Sequence, residues 1–326
     1  NDDIIMHHQN GSTQYCFPAI NSSCIKGMRS RYEYNIMFVF FSLLSAWTVF
    51  LNLLVIISIS HFKKLHTPTN LLILSLGVAD MLVMPLEATR LIETCWYFGD
   101  TFCRLFFTMM GLLFSASLSN LVLIAVDRFV AVCHPLLYPQ RITTTKTLII
   151  VSLSWFCSSA YNTAIVTSTS HKKYACYGEC TIMVTFDWIV IDLFLSFLIP
   201  CTVIMTLYLR IFYVAHQQVK VINSLSGKCV MEGSVRRKSE SKAALTLGII
   251  VAIHLLCWIP YYILTLTENT AIPPTILYCL IWVLYVNSCV NPLIYALFYP
   301  WFRKSIKYIL TFRIFQPASS RPKRET

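Results

Sequence analysis

Read for polarity alone, the chain alternates between long apolar runs and short polar breaks. Seven runs, 35–60, 71–86, 106–126, 147–167, 188–209, 243–266 and 275–298, each approach the roughly 20 apolar residues that cross a bilayer. Backbone groups in hydrocarbon find no water, so each run must be a helix or a strand of a closed barrel. Barrel strands alternate apolar and polar positions over about 10 residues; these runs are apolar throughout, which predicts helices. The third has no charge between Arg104 and Asp127 and closes on Asp127-Arg128-Phe129, with Pro135 beyond. After the seventh, Ile306, Ile309 and Leu310 recur at helical spacing among basic residues, which predicts an amphipathic helix along the inner leaflet. The expectation is an all-α membrane protein: an outer tail, 1–34, a seven-helix transmembrane bundle, 35–300, and a short amphipathic eighth helix with a cytoplasmic tail, 301–326.

Composition agrees, with 56 % hydrophobic and 13 % charged residues and a mean hydropathy of +0.62. Of the Lys and Arg residues, 19 follow the odd-numbered spans and 7 lie in the tail and the other loops, so the N-terminus is expected outside and the C-terminus inside. The net charge of +11 therefore faces anionic lipid and an acidic partner surface, and is no nucleic-acid signature. In an outer tail, Asn10-Gly11-Ser12 and Asn21-Ser22-Ser23 read as glycosylation sequons. No cleavable leader precedes the first span, which is expected to direct insertion, and the start without Met suggests a processed or incomplete terminus.

Cys16, Cys24, Cys103, Cys176 and Cys180 fall in or beside outer segments, with Cys95 near the same boundary; sequence alone leaves their connectivity open. The informative polar residues are those inside the spans. An ionised carboxylate at mid-bilayer costs roughly 2.5 to 3.5 kcal/mol even on a lenient scale, so Asp80 is expected to face the bundle interior and find partners or an ion. Asp192 is either a ligand anchor or a structural acid hydrogen-bonded to the fourth helix or facing the lipid headgroups. No Lys or Arg stands within the predicted spans to pair with Asp192.

Taken in order, Asn52, Asp80, Asp127-Arg128-Phe129, Trp155, Pro200 with Tyr208, Cys257-Trp258-Ile259-Pro260 and Asn291-Pro292-Leu293-Ile294-Tyr295 fall one set to a span. This resembles the rhodopsin-like G-protein-coupled receptors over essentially the whole membrane region. Within them, the run from Asn287 to Phe302 and the segments CFPAINSSCIK and CYGEC are similar to trace amine-associated receptors, of a fish type.

The resemblance implies disulfides Cys103–Cys180 and Cys24–Cys176, with Cys16 unassigned. It also implies a protonated amine as ligand, a stimulatory or olfactory heterotrimeric G protein as partner, and the plasma membrane of olfactory sensory neurons. Aminergic receptors commonly carry an Asp 18 positions before the Arg of the third span; here that position is Met110. Asp192, eight residues before Pro200, is the replacement, as in some fish members of the family. It would share a pocket with Met110, Phe114, Trp258, Tyr261, Tyr262 and Tyr285, whose rings suit a cation. Against this stands a structural Asp192 in a receptor for some other small molecule. Glu87 and Asp187 are rival acids, or solvated acids near the rim. Asp80, Ser117, Asn287, Ser288 and Asn291 resemble the family's sodium pocket, or an equivalent water-filled network, with no other cofactor expected. Arg128 would pair with Glu240 at rest and with Tyr208 and Tyr295 once the sixth span swings about Pro260. His254 stands where relatives have Phe and reads as neutral packing, or as a source of pH-sensitive or altered basal activity. No chemistry of its own is expected: a retinal protein would need Lys where Tyr285 stands, and a transporter would show repeats.

Overall fold

The computed structural model describes residues 14–27, 30–169, 176–182, 184–224, 231–267, 274–312 and 314, and within these it leaves out some side chains, among them 218–245 and 274–281. Helix α1 is Arg31–His61, opened by a capping box in which Ser30 Oγ accepts from the Glu33 N–H and Glu33 accepts from the Ser30 N–H. Helices α2, Pro68–Ile92, α3, Gly99–Cys133, and α4, Thr144–Thr169, follow, with a single turn Tyr138–Arg141 before α4. Helix α5 is composite: Phe186–Leu193, a π turn Phe194–Leu198, and Ile199–Ser224. Helices α6, Met231–Thr267, α7, Pro274–Phe298, and the short α8, Pro300–Leu310, complete the chain.

Among the described residues, five helices are long and apolar enough to cross a membrane, over Arg31–His61, Pro68–Ala88, Gly99–Cys133, Thr144–Thr169 and Phe186–Gln217; α6 and α7 contribute the shorter apolar stretches Gly248–Leu264 and Trp282–Phe298. Large apolar side chains such as Leu43, Phe156, Leu256 and Leu297 point outward and are largely exposed. On a water-soluble globule such a surface would aggregate; in lipid it is the solvated face. Helix α3 packs on α2, α4, α5 and α6, while α7 closes back on α1 and α2. Its central place explains why α3 is buried on nearly every side, from Cys103 to Val132.

The π turn in α5 follows from Pro200. Proline has no N–H for the Ser196 carbonyl, and its ring crowds that carbonyl. One i→i+5 turn relieves the crowding. Residues outward of it, Asp192 included, are rotated by about 100° relative to an unbroken helix of 3.6 residues per turn.

An outer cap is stapled over the bundle. Disulfides join Cys103 to Cys180, Cys24 to Cys176, and Cys16 to Cys95; the last pairing was the one left open. The tail bridges Tyr15 to Ile25 and Ser23 to Tyr177, and Trp96 N–H donates to the Gly178 carbonyl at 2.8 Å. Gly178 has φ +101°, and a Cβ there would lie 3.0 Å from that of Cys16, so the close approach needs glycine. Asn21 is exposed in this cap; Asn10 lies outside the described residues. At the inner end Phe302 buries beneath α8, and Arg303 Nη1 donates to the Ala296 and Leu297 carbonyls that end α7.

Candidate functional site

Asp192 accepts hydrogen bonds from the Tyr161 hydroxyl of α4 and the Tyr262 hydroxyl of α6, each at 3.1 Å. Among the described residues no cation is ion-paired with it. It borders a cavity of about 160 Å³ lined by Phe114, Phe197, Trp258, Tyr261 and Tyr262, with Gly111, Ser115, Asn162, Ser196 and His254 at its edge. The rings form a continuous wall: Phe114 meets Trp258 edge-on at 4.9 Å, Trp258 meets Tyr261 at 5.8 Å, and Phe197 lies 4.7 Å from Tyr262. The structure thus gathers Asp192, Phe114, Trp258, Tyr261 and Tyr262 around one space.

Met110 and Tyr285 do not line it. Both are 5 % exposed and pack in an apolar cluster with Phe41, Met84, Phe106 and Leu113 between α1, α2, α3 and α7. For Tyr285 the reason is Glu87. Far from a solvated rim acid, Glu87 is 1 % exposed and ion-paired with Arg90 one turn along α2, whose Nε donates to it at 2.8 Å. Helix α2 runs past Pro85 to Ile92, beyond the predicted span end at 86, and this brings the half-buried Arg90, which the sequence reading left in a loop, against Glu87. The Tyr285 phenol interacts with the Glu87–Arg90 pair, and Arg90 lies 5.9 Å from the ring centres of Phe106 and Phe107. Asp187 is exposed in the first turn of α5, as a solvated rim acid would be.

Below the cavity, Asp80 accepts from Ser117 and Ser288 at 3.2 Å on one oxygen and from Asn291 at 2.7 Å on the other. Asn287 does not join them: its amide sits 3.1 Å from His254 Nδ1. His254 is therefore hydrogen-bonded, in addition to packing 5.8 Å from the Trp258 ring, and it links cavity floor to polar network. The buried Oδ1 atoms of Asn287 and Asn291 have no partner among the described residues. Hydroxyl and amide oxygens around one carboxylate are a donor set that fits a small hard cation. Asn52 braces the network by donating to the Thr48 and Ser288 carbonyls, and Trp155 does so from α4 through Ser75 Oγ.

At the inner end, Asp127 accepts from Arg128 Nε at 2.9 Å, Thr69 at 2.7 Å and Tyr138 at 2.9 Å. Thr69 and Tyr138 escaped the sequence reading, since nothing in TPTN or LLYPQ marks them as partners of a residue on another helix. Burial, then the adjacent carboxylate, pushes the Tyr138 phenol above its ordinary value. The Glu240 side chain lies outside the described residues. The buried hydroxyls of Tyr208, Tyr295 and Tyr299 have no partner among the described residues. Pro292 lies inside α7, one turn outward of Tyr295.

The sequence profile of the "7 transmembrane receptor (rhodopsin family)" matches residues 51–295. The chain is 42 % identical to trace amine-associated receptor 13c of Danio rerio, covering 94 % of this chain and 95 % of that protein. It is 43 % identical to receptor 8a and 41 % identical to receptor 9 of Rattus norvegicus, over 94 % of this chain and 95 % and 96 % of theirs. A motif set in register, a helical bundle around α3 and nearly full-length similarity agree: the chain belongs to the rhodopsin family of seven-transmembrane receptors, with trace amine-associated receptors as its relatives.

Proposed function

We propose that this multi-pass receptor, which is no enzyme, senses small protonated amines from the outer side and activates a heterotrimeric G protein of the stimulatory or olfactory type. One observation carries the reading: a half-buried carboxylate, Asp192, faces an aromatic-walled cavity and accepts from two neutral phenols, with no ion-paired cation among the described residues. An ammonium ion would supply that cation and meet the ring faces in the same space. The rest of the reading follows the family: a fish-type member, N-terminus outside, glycosylated at Asn10 and Asn21, in the plasma membrane of olfactory sensory neurons.

Signal passage would use the chain of contacts below the cavity. Trp258 and His254 register the ligand, Asp80 with Ser117, Ser288 and Asn291 holds a sodium ion at rest, and α6 swings about Pro260. Arg128 then leaves Asp127, and Glu240 if they pair at rest, to meet Tyr208 and Tyr295. Cyclic AMP measured against an amine panel in cells tests the anchor. Asp192→Ala should abolish the response or raise the half-maximal concentration at least about 30-fold, since truncating one partner of a buried charge pair costs roughly 2 to 5 kcal/mol; Asp192→Glu should restore part of it. The competing reading, a receptor for a non-amine ligand, draws on the same two phenols, which already tie α4 and α6 to Asp192 as a structural acid would. Native potency in the Ala form would favour it.

A further inference from the structure

We infer that Asn162 accepts a second, uncharged hydrogen-bond donor on the amine, so that the pocket selects small monoamines bearing a hydroxyl or ring N–H. This rests on the amine reading of Asp192 and deepens it. A dry cavity of about 150 Å³ is known to hold benzene, so the 160 Å³ here suits a ligand of about one ring. Asn162 reaches its edge from α4 and is itself only 8 % exposed. Both protons of its Nδ2 are engaged, one by the Ser158 carbonyl at 2.8 Å and one by Ser115 Oγ at 2.9 Å. The carbonyl can only accept, which settles which end of the amide is nitrogen. The Oδ1 end is thereby turned toward α3 as a fixed acceptor, and among the described residues it receives no hydrogen bond.

Helix α3 leaves room for it at one residue. A Cβ on Gly111 would lie 2.0 Å from Asn162 Oδ1 and 2.7 Å from its Cγ, so any larger residue would drive the amide out of place. Glycine within a helix is destabilising unless its lack of a side chain is used; here it opens the niche that holds the acceptor. A second ammonium group has no comparable place, because Glu87 is already neutralised by Arg90. A neutral donor is what an amide oxygen suits, and a site with a fixed acceptor discriminates against analogues that lack the donor.

The test compares benzylamine with its ortho-, meta- and para-hydroxy forms and the matching fluoro forms, which are near in size and donate nothing. Cyclic AMP dose–response curves are recorded for the native receptor, Asn162→Leu and Gly111→Ala, with surface expression measured by an outer epitope. The readout is the potency ratio of each hydroxy form to its fluoro partner within one receptor, which expression level does not alter. In the native chain at least one isomer should show a ratio of about 10, the upper range for one neutral hydrogen bond. In both variants that ratio should fall to within about twofold. A native receptor that answers amines through Asp192 yet prefers no hydroxy isomer would overturn the inference alone, as would a preference that survives either variant. Silence to the whole panel would overturn the amine reading with it.

Discussion

Two carboxylates, Glu87 fully buried and Asp192 half-buried, stand in the outer half of the bundle with opposite surroundings. Glu87, between α1, α2, α3 and α7, has its cation three residues away on its own helix, and apolar side chains fill the space around the pair. Asp192, among α4, α5 and α6, has two phenols, no ion-paired cation among the described residues, and open space in front of it. A buried carboxylate requires compensation, and where that compensation sits decides what the acid is for. A cation on its own helix turns Glu87 into structure. Asp192, with no such partner among the described residues, is the acid proposed above to meet a charged ligand.

The largest test of the contrast is Asp192→Ala set beside Glu87→Gln. The first should move amine potency by about 30-fold or more. The second should leave potency within a fewfold while lowering the thermal stability of the purified receptor, since Arg90 loses its partner. Next, Arg90→Met strands the Glu87 carboxylate. It should raise the potency of diamines relative to monoamines at least about fivefold, and the double variant Glu87→Gln with Arg90→Met should recover stability that each single change loses. An unchanged diamine ratio would mean that the Glu87 side of the bundle is closed to ligand altogether.

A smaller effect is expected from the wall. Tyr261→Leu removes one ring from the Asp192 cavity and should weaken amine response by about two- to fivefold, in line with roughly 0.5 to 1 kcal/mol for one cation–π contact at a half-exposed site. Least of all, Tyr285→Phe and Met110→Leu should keep potency within about twofold, because both residues serve the Glu87 side; competition binding with a labelled amine would show a larger loss if either touched the ligand.

Much of this architecture is written in the order of residues. The seven runs and the amphipathic pattern of α8 are local signals, and each one became a helix. Asp192 stood out as an acid in an apolar run without a Lys or Arg to pair with, and Phe114, Trp258, Tyr261 and Tyr262 were placed beside it by their depth in the receptor-like bundle; the cavity gathers all five. Met110 and Tyr285 were assigned to that pocket from helix register, and register says which way a residue faces without saying which neighbour fills the gap. Likewise His254 read as packing, since its bond to Asn287 spans 33 residues of sequence.

Periodicity and hydropathy act over a few residues, so class, topology in the membrane and the list of buried polar groups follow from the chain directly. The partners of those groups do not. The Cys16–Cys95 staple, the Glu87–Arg90 pair inside a lengthened α2, the niche at Gly111 and the rotation imposed by the π turn before Pro200 each depend on how close two helices come, or on how one helix yields to a local obstruction. Such distances are set by packing of the whole bundle, in which every helix is positioned by several others. That is why one acid met a cation on its own helix and the other met two phenols beside a cavity, although both look alike as single letters in an apolar stretch.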